Sequence, residues 1–240
     1  MFFYIMYKLF FSILATSMLA LCCTPPDNYI IKGNAGYAHD GDTIYLFYSR
    51  DGKERTIVGY SIVTDKTFTI RGNTEGEGIY YLGYKYDGDF ISTLFFLEKG
   101  EIQTCIGKEK HTIKGTPLND TNRRVNDSVE QMMSHISNLE AMSATREYHS
   151  PEEMTRDGIS IYRLNEKLYC YLKRVVSENI GNLYGLFMLV MYNGLFNEGE
   201  FNTLLSQVPA RYTDDNNNSL YATAMEMKAQ KAKGTYPIEP

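Results

Sequence analysis

The sequence predicts an α+β fold: an N-terminal antiparallel β-sandwich or barrel-like domain followed by an all-helical region. Three observations carry this. Runs rich in β-branched and aromatic residues fill 28–116 and are separated by turn dipeptides. No helical pattern falls between those runs, which disfavours a parallel βαβ arrangement. After Thr116-Pro117 the apolar period changes to helical spacing. With 240 residues, 43% of them hydrophobic and 22% charged, the chain has room for one or two ordinary globular domains.

Residues 1–22 have the form of a secretory signal. One basic residue, Lys8, precedes an uncharged apolar run from Leu9 to Leu21, too short to cross about 30 Å of hydrocarbon comfortably. The run ends in Leu19-Ala20-Leu21-Cys22-Cys23, like the bacterial lipobox in which a cysteine is acylated. Cys22 is the expected lipidation site, with Cys23 as the alternative; Leu21 stands where a small residue is usual. Acyl chains contribute about 0.8 kcal/mol per buried CH₂ and would hold a soluble domain on a membrane.

The strands come next. Thr43 to Ser49, Thr67 to Gly72, Gly78 to Tyr86 and Ile91 to Glu98 are the clearest. Phe68 and Ile70 alternate with Thr67, Thr69 and Arg71, the period of a half-buried strand. Asp40-Gly41, Asp51-Gly52 and Asp87-Gly88 are hairpin dipeptides, and Glu98-Lys99-Gly100 reads as a turn with glycine at its left-handed position.

Region 117–233 reads as helical. Val125, Val129, Met132, Met133, Ile136 and Leu139 recur at helical spacing from Asn119 to about Ala144. Ser150-Pro151-Glu152-Glu153 is a break and restart, with Ser150 as N-cap and Glu153 completing a capping box. An amphipathic helix is expected from Ile161 to Ser177. The segment from Asn182 to Tyr192 is apolar almost all round, so its helix is buried. Two short helices follow, near 198–207 and 217–233.

The chemistry-bearing residues are scattered. A net charge of −5 with dispersed Lys and Arg argues against nucleic-acid binding. His39, His111, His135 and His149 form no metal pattern, Asp40-Gly41-Asp42 lacks the later ligands of a calcium loop, and no nucleophile motif occurs. No catalytic constellation, metal or cofactor is therefore expected. Cys170 is a candidate reactive thiol because Lys167, Lys173 and Arg174 fall on its face of the helix; the simpler reading is an exposed cysteine on a solvated face. Cys105 shares strand parity with Gln103 rather than with Ile102 and Ile106. Tyr80, Tyr84 and Tyr86 lie on one strand face. They are either core residues, the favoured reading, or an exposed stripe able to stack on a glycan or apolar peptide.

Six short motifs in order carry a resemblance: Ile31-Lys32-Gly33; Ile44-Tyr45-Leu46; Phe68 to Gly72; Phe95 to Gly100; Ile113 to Asp120; and Asn179, Asn182 and Gly185. Together they resemble the N-terminal domain of unknown function, of the 4369 type, with the helical linker of thioredoxin-like bacterial lipoproteins. The resemblance implies a lipid-anchored envelope protein on the periplasmic side of a membrane. In that family the chain continues into a thioredoxin-like domain with a CxxC, and 234–240 looks like its entry strand. No CxxC occurs here, so none of the family's redox residues carries over. The expected role is non-catalytic: a binding or positioning module accessory to a thioredoxin-like partner, its contact carried by the helical half. The alternatives are a truncated thiol-disulfide oxidoreductase, its CxxC domain missing or separately encoded, and ligand binding through the tyrosine stripe.

Overall fold

The computed structural model describes residues 27–49, 54–107, 111–213 and 219–234. Cys22, Cys23, the dipeptide Asp51-Gly52 and the entry strand around Pro237 lie outside the described residues. The strands are β1 (Tyr29–Asn34), β2 (Thr43–Tyr48), β3 (Thr56–Ile62), β4 (Thr67–Gly72), β5 (Gly78–Tyr86), β6 (Asp89–Leu97), β7 (Gly100–Ile106) and β8 (His111–Lys114). They form two four-stranded sheets, ordered β4-β1-β7-β8 and β3-β2-β5-β6, which pack as a sandwich rather than closing into a barrel. Its core is filled from both sheets by Ile31, Ile102 and Ile70 against Ile44, Leu46, Leu82 and Phe95.

The pairing is antiparallel except between β1 and β7, which run parallel with Ile31 beside Ile102. The turn at Glu98-Lys99-Gly100 carries the chain from the second sheet to the first, where β7 enters beside β1 in β1's own direction. Period-two patterning holds along β4: Phe68 and Ile70 are buried while Thr67, Thr69 and Arg71 are exposed. Asp87 and Gly88 both take positive φ (50° and 88°) in the two-residue turn joining β5 and β6. Two motif glycines accommodate cross-strand rings. A Cβ on Gly33 would overlap the Phe68 ring directly opposite, and one on Gly72 would overlap Tyr29.

Five α-helices follow among the described residues: α1 (Pro117–Thr145), α2 (Pro151–Asn179), α3 (Leu183–Met191), α4 (Glu198–Leu205) and α5 (Ser219–Ala232). Ser150 caps α2 by accepting from the Glu153 amide at 3.3 Å. The restart at Ser150 and the amphipathic segment from Ile161 belong to one 29-residue helix, not two. The exposed interior Gly158 does not break it, since a helical glycine costs only about 1 kcal/mol. Helices α1 and α2 form an antiparallel hairpin. Ile136 and Val125 pack in one core with Leu168, Leu172 and Val176. The Asn179, Asn182, Gly185 motif is the corner between α2 and α3. Asn182 Oδ1 accepts from the Gly185 amide at 3.1 Å, and Gly185 lies so close to the Asn179 carbonyl that no side chain fits.

Candidate functional site

The fold gives strand β5 two apolar faces. On its inner face Tyr84 is fully buried, and Tyr80 and Tyr86 are half-buried against the sandwich core. Tyr84 is therefore core, the favoured reading, while Tyr80 and Tyr86 pack against that core and keep part of their surface exposed. Bulky rings there fill the gap between two sheets about 10 Å apart. The outer face is where the aromatic surface lies. Tyr81 stacks on Phe47 at 5.3 Å between centroids with 14° between planes, and the Arg55 guanidinium sits 4.1 Å from the centroid of Phe90. Further along the same face, Ile79, Leu94 and Phe96 face the helices instead and join the helical core.

A groove of about 520 Å³ opens where the covered and uncovered parts of this face meet. Its floor is Ile79, Tyr81 and Leu94; Leu183, Phe187 and Met191 of α3 and Leu220 of α5 form the opposite wall. Among the described residues, the polar side chains lining the groove are Tyr48, Ser49, Tyr80, Tyr81, Ser219 and Glu77. The Ser49 hydroxyl is buried without a hydrogen-bond partner. Tyr212, in the turn after α4, donates its hydroxyl to Glu77 and so ties the helical region to the start of β5. Burial, then that bond and the carboxylate charge, push the Tyr212 hydroxyl up to about 12. This volume, with a lining that mixes apolar and polar side chains, is that of a small-ligand or chain-segment site. Sequence reading missed it. The signal was present in Ile79-Tyr80-Tyr81-Leu82 and Leu94 to Leu97, apolar in both parities, as expected of strands covered on both faces.

Two motifs meet where the sandwich joins the helices. Asn119 Oδ1 accepts from the Phe96 amide at 3.0 Å while its Nδ2 donates to the Phe96 carbonyl and to Thr116 Oγ1. Glu98 Oε1 accepts from the Leu118 amide at 2.9 Å, putting a carboxylate at the N-terminus of α1. Burial pushes the Glu98 carboxyl up, against the hydrogen bonds from Thr116, Leu118 and Asn119 that pull it down. These residues read as sequence signatures; their work here is to clamp one region to the other.

The cysteines are not brought together as a redox pair. Cys105 and Cys170 are free and exposed. Two of the cations expected around Cys170 have carboxylate partners: Lys173 Nζ lies 3.0 Å from Glu200, and Arg174 Nε 3.9 Å from Glu178. Among the described residues, no group of three or more His, Cys, Asp and Glu could hold a metal ion, and no helix is long and apolar enough to cross a membrane.

Residues 29–122 match the model of a domain of unknown function, DUF4369. This segment is a DUF4369 domain. It spans the whole sandwich and ends within α1, so it includes Glu98, Thr116, Leu118 and Asn119 of the clamp but none of the other helices. No curated protein and no solved structure shows a significant match to the chain.

Proposed function

We propose that this chain is a non-catalytic, lipid-anchored binding module of the bacterial cell envelope, tethered through Cys22 or Cys23 on the periplasmic side. Its DUF4369 domain and helices hold a ligand in the groove, and its helical half positions a thioredoxin-like partner. The groove carries this reading: its polar groups are hydroxyls and a carboxylate already bonded to Tyr212, groups that orient a ligand. The signal-like 1–22 segment and the lipobox-like cysteines support the anchor. The exposed Met142, Met154 and Ile159 toward the free end of the α1–α2 hairpin supply an apolar contact for a partner.

Two measurements test it. The intact mass of the protein from its native host should match a chain cut before Cys22 or Cys23 and carrying acyl groups; an unmodified cysteine would remove the anchor. A photo-crosslinking residue at Ile159 should yield adducts with a CxxC-bearing protein, while one at Tyr60, on the sandwich, should not. Equal labelling from both positions would remove the partner.

A further inference from the structure

Helix α2 carries a line of cations. Arg156, Arg163, Lys167 and Arg174 stand at i, i+7, i+11 and i+18. At 3.6 residues per turn they fall within about 20° of one line, about 27 Å long. All four are exposed, in a chain whose net charge is −5. Among the described residues Arg156, Arg163 and Lys167 form no ion pair, and Arg174 meets Glu178 only at 3.9 Å. The carboxylates nearest the line, Glu152 and Glu178, stand at its two ends.

A groove of about 500 Å³ opens at Lys167, between α1 and α2. Gln131, His135 and Asn138 of α1 line it, with Met132 and Leu164 partly buried against the helical core. No carboxylate lines it among the described residues, and it shares no residue with the groove over β5.

An exposed cation holds a single anion weakly, so the line favours a ligand that carries several charges and engages several sites at once. Steps of about 6 and 10 Å between cations suit a sparsely charged polymer. They suit a nucleic-acid duplex poorly, since it carries a charge every 1.7 Å or so, about four to six times as densely. Protein interfaces close on an apolar centre depleted of charge. Here the centre is charged, and the groove beside it presents amide and imidazole groups, donors and acceptors for sugar hydroxyls.

We infer that this side of the α1–α2 hairpin binds an acidic polysaccharide, its carboxylate or sulfate groups along the cation line and its hydroxyls in the groove at Lys167. The site adds a second ligand to the chain, independent of the groove over β5.

The test measures binding of the full chain to fluorescent glycans of about ten sugar units: galacturonan, sulfated dextran and uncharged dextran. At least one charged glycan should bind, the tighter of the two naming the anionic group, and uncharged dextran should not. Arg163→Glu with Lys167→Glu, both at exposed positions, should weaken binding at least tenfold. Arg71→Glu with Lys114→Glu, exposed on the sandwich and equal in charge change, should leave it unaltered. Cys170 lies on the same face of α2 between Lys167 and Arg174, Cys105 lies on β7, and both are free and exposed. Saturating glycan should slow alkylation of Cys170 several-fold and leave Cys105 unchanged. No binding by either charged glycan, equal loss in both double variants, or an unprotected Cys170 overturns the proposal. Equally tight binding of an oligo-deoxythymidine of the same length overturns the polysaccharide and leaves charge alone.

Discussion

The sandwich and the helical region each enclose a hydrophobic core, but the two cores are not equally self-sufficient. The sandwich core is drawn from residues between Tyr29 and Ile106, with strands of both sheets supplying alternate side chains. The helical core includes Phe96 of the sandwich, packed edge-on to Tyr184 and Phe187 of α3 at 5.6 and 5.5 Å, with Ile79 and Leu94 beside it. A nine-residue helix apolar on nearly all sides needs cover on every side, and the sheet's outer face supplies one. The difference teaches a direction of dependence. The sandwich core closes within the strands, whereas the helical core is completed by residues of the sandwich. The DUF4369 segment ends where that dependence is fastened, after the clamp at Thr116 to Asn119.

Phe96→Ala gives the sharpest way to break this comparison. It removes a fully buried ring at the shared boundary and should cost about 3–5 kcal/mol. Amide hydrogen exchange should show the loss concentrated in α3, with the β1 and β7 amides still protected; uniform loss would mean the two cores are one cooperative unit. Asn119→Ala should cost about 2–3 kcal/mol in urea denaturation, since it leaves the buried Phe96 amide and carbonyl without their partner. Tyr212→Phe removes the second tie, to Glu77, and should cost about 1–2 kcal/mol. It should also speed exchange at α5 more than at β5.

The smallest effect sharpens the comparison through pH. The Glu98 carboxyl is raised by burial, so the folded state favours its protonated form. Its contribution to stability is therefore greatest below the ordinary carboxyl value of 4.5 and is lost as pH rises through the raised folded value. Against Glu98→Gln, the wild-type chain should gain relative stability as pH falls from 7 to 4.5. A difference independent of pH would show that Glu98 acts as a hydrogen-bond acceptor alone.

Much of the fold was legible because local rules set it. Alternation placed Phe68 and Ile70 inside, the Asp87-Gly88 dipeptide named its turn, and Ser150 and Asn182 named their helix starts. Strand β3 went unmarked even though Thr56 to Ile62 is rich in β-branched residues, because it is an edge strand with four apolar side chains exposed and no clean alternation. The left-handed turn at Asp65 and Lys66 carries no glycine to announce it. It is held by distant bonds, from the Lys66 amide to Asp40 and from Lys66 Nζ to the Ala38 carbonyl.

The sequence by itself determined the order of strands before helices, the period of each element, the caps and most of the turns, because these depend on residues close along the chain. Only the tertiary structure decided which strands run parallel and where a groove opens. The favoured reading already put the Tyr80, Tyr84 and Tyr86 face of β5 in the core, but the opposite face is apolar too, and what covers it is set by α3, distant in sequence from the strand it packs against.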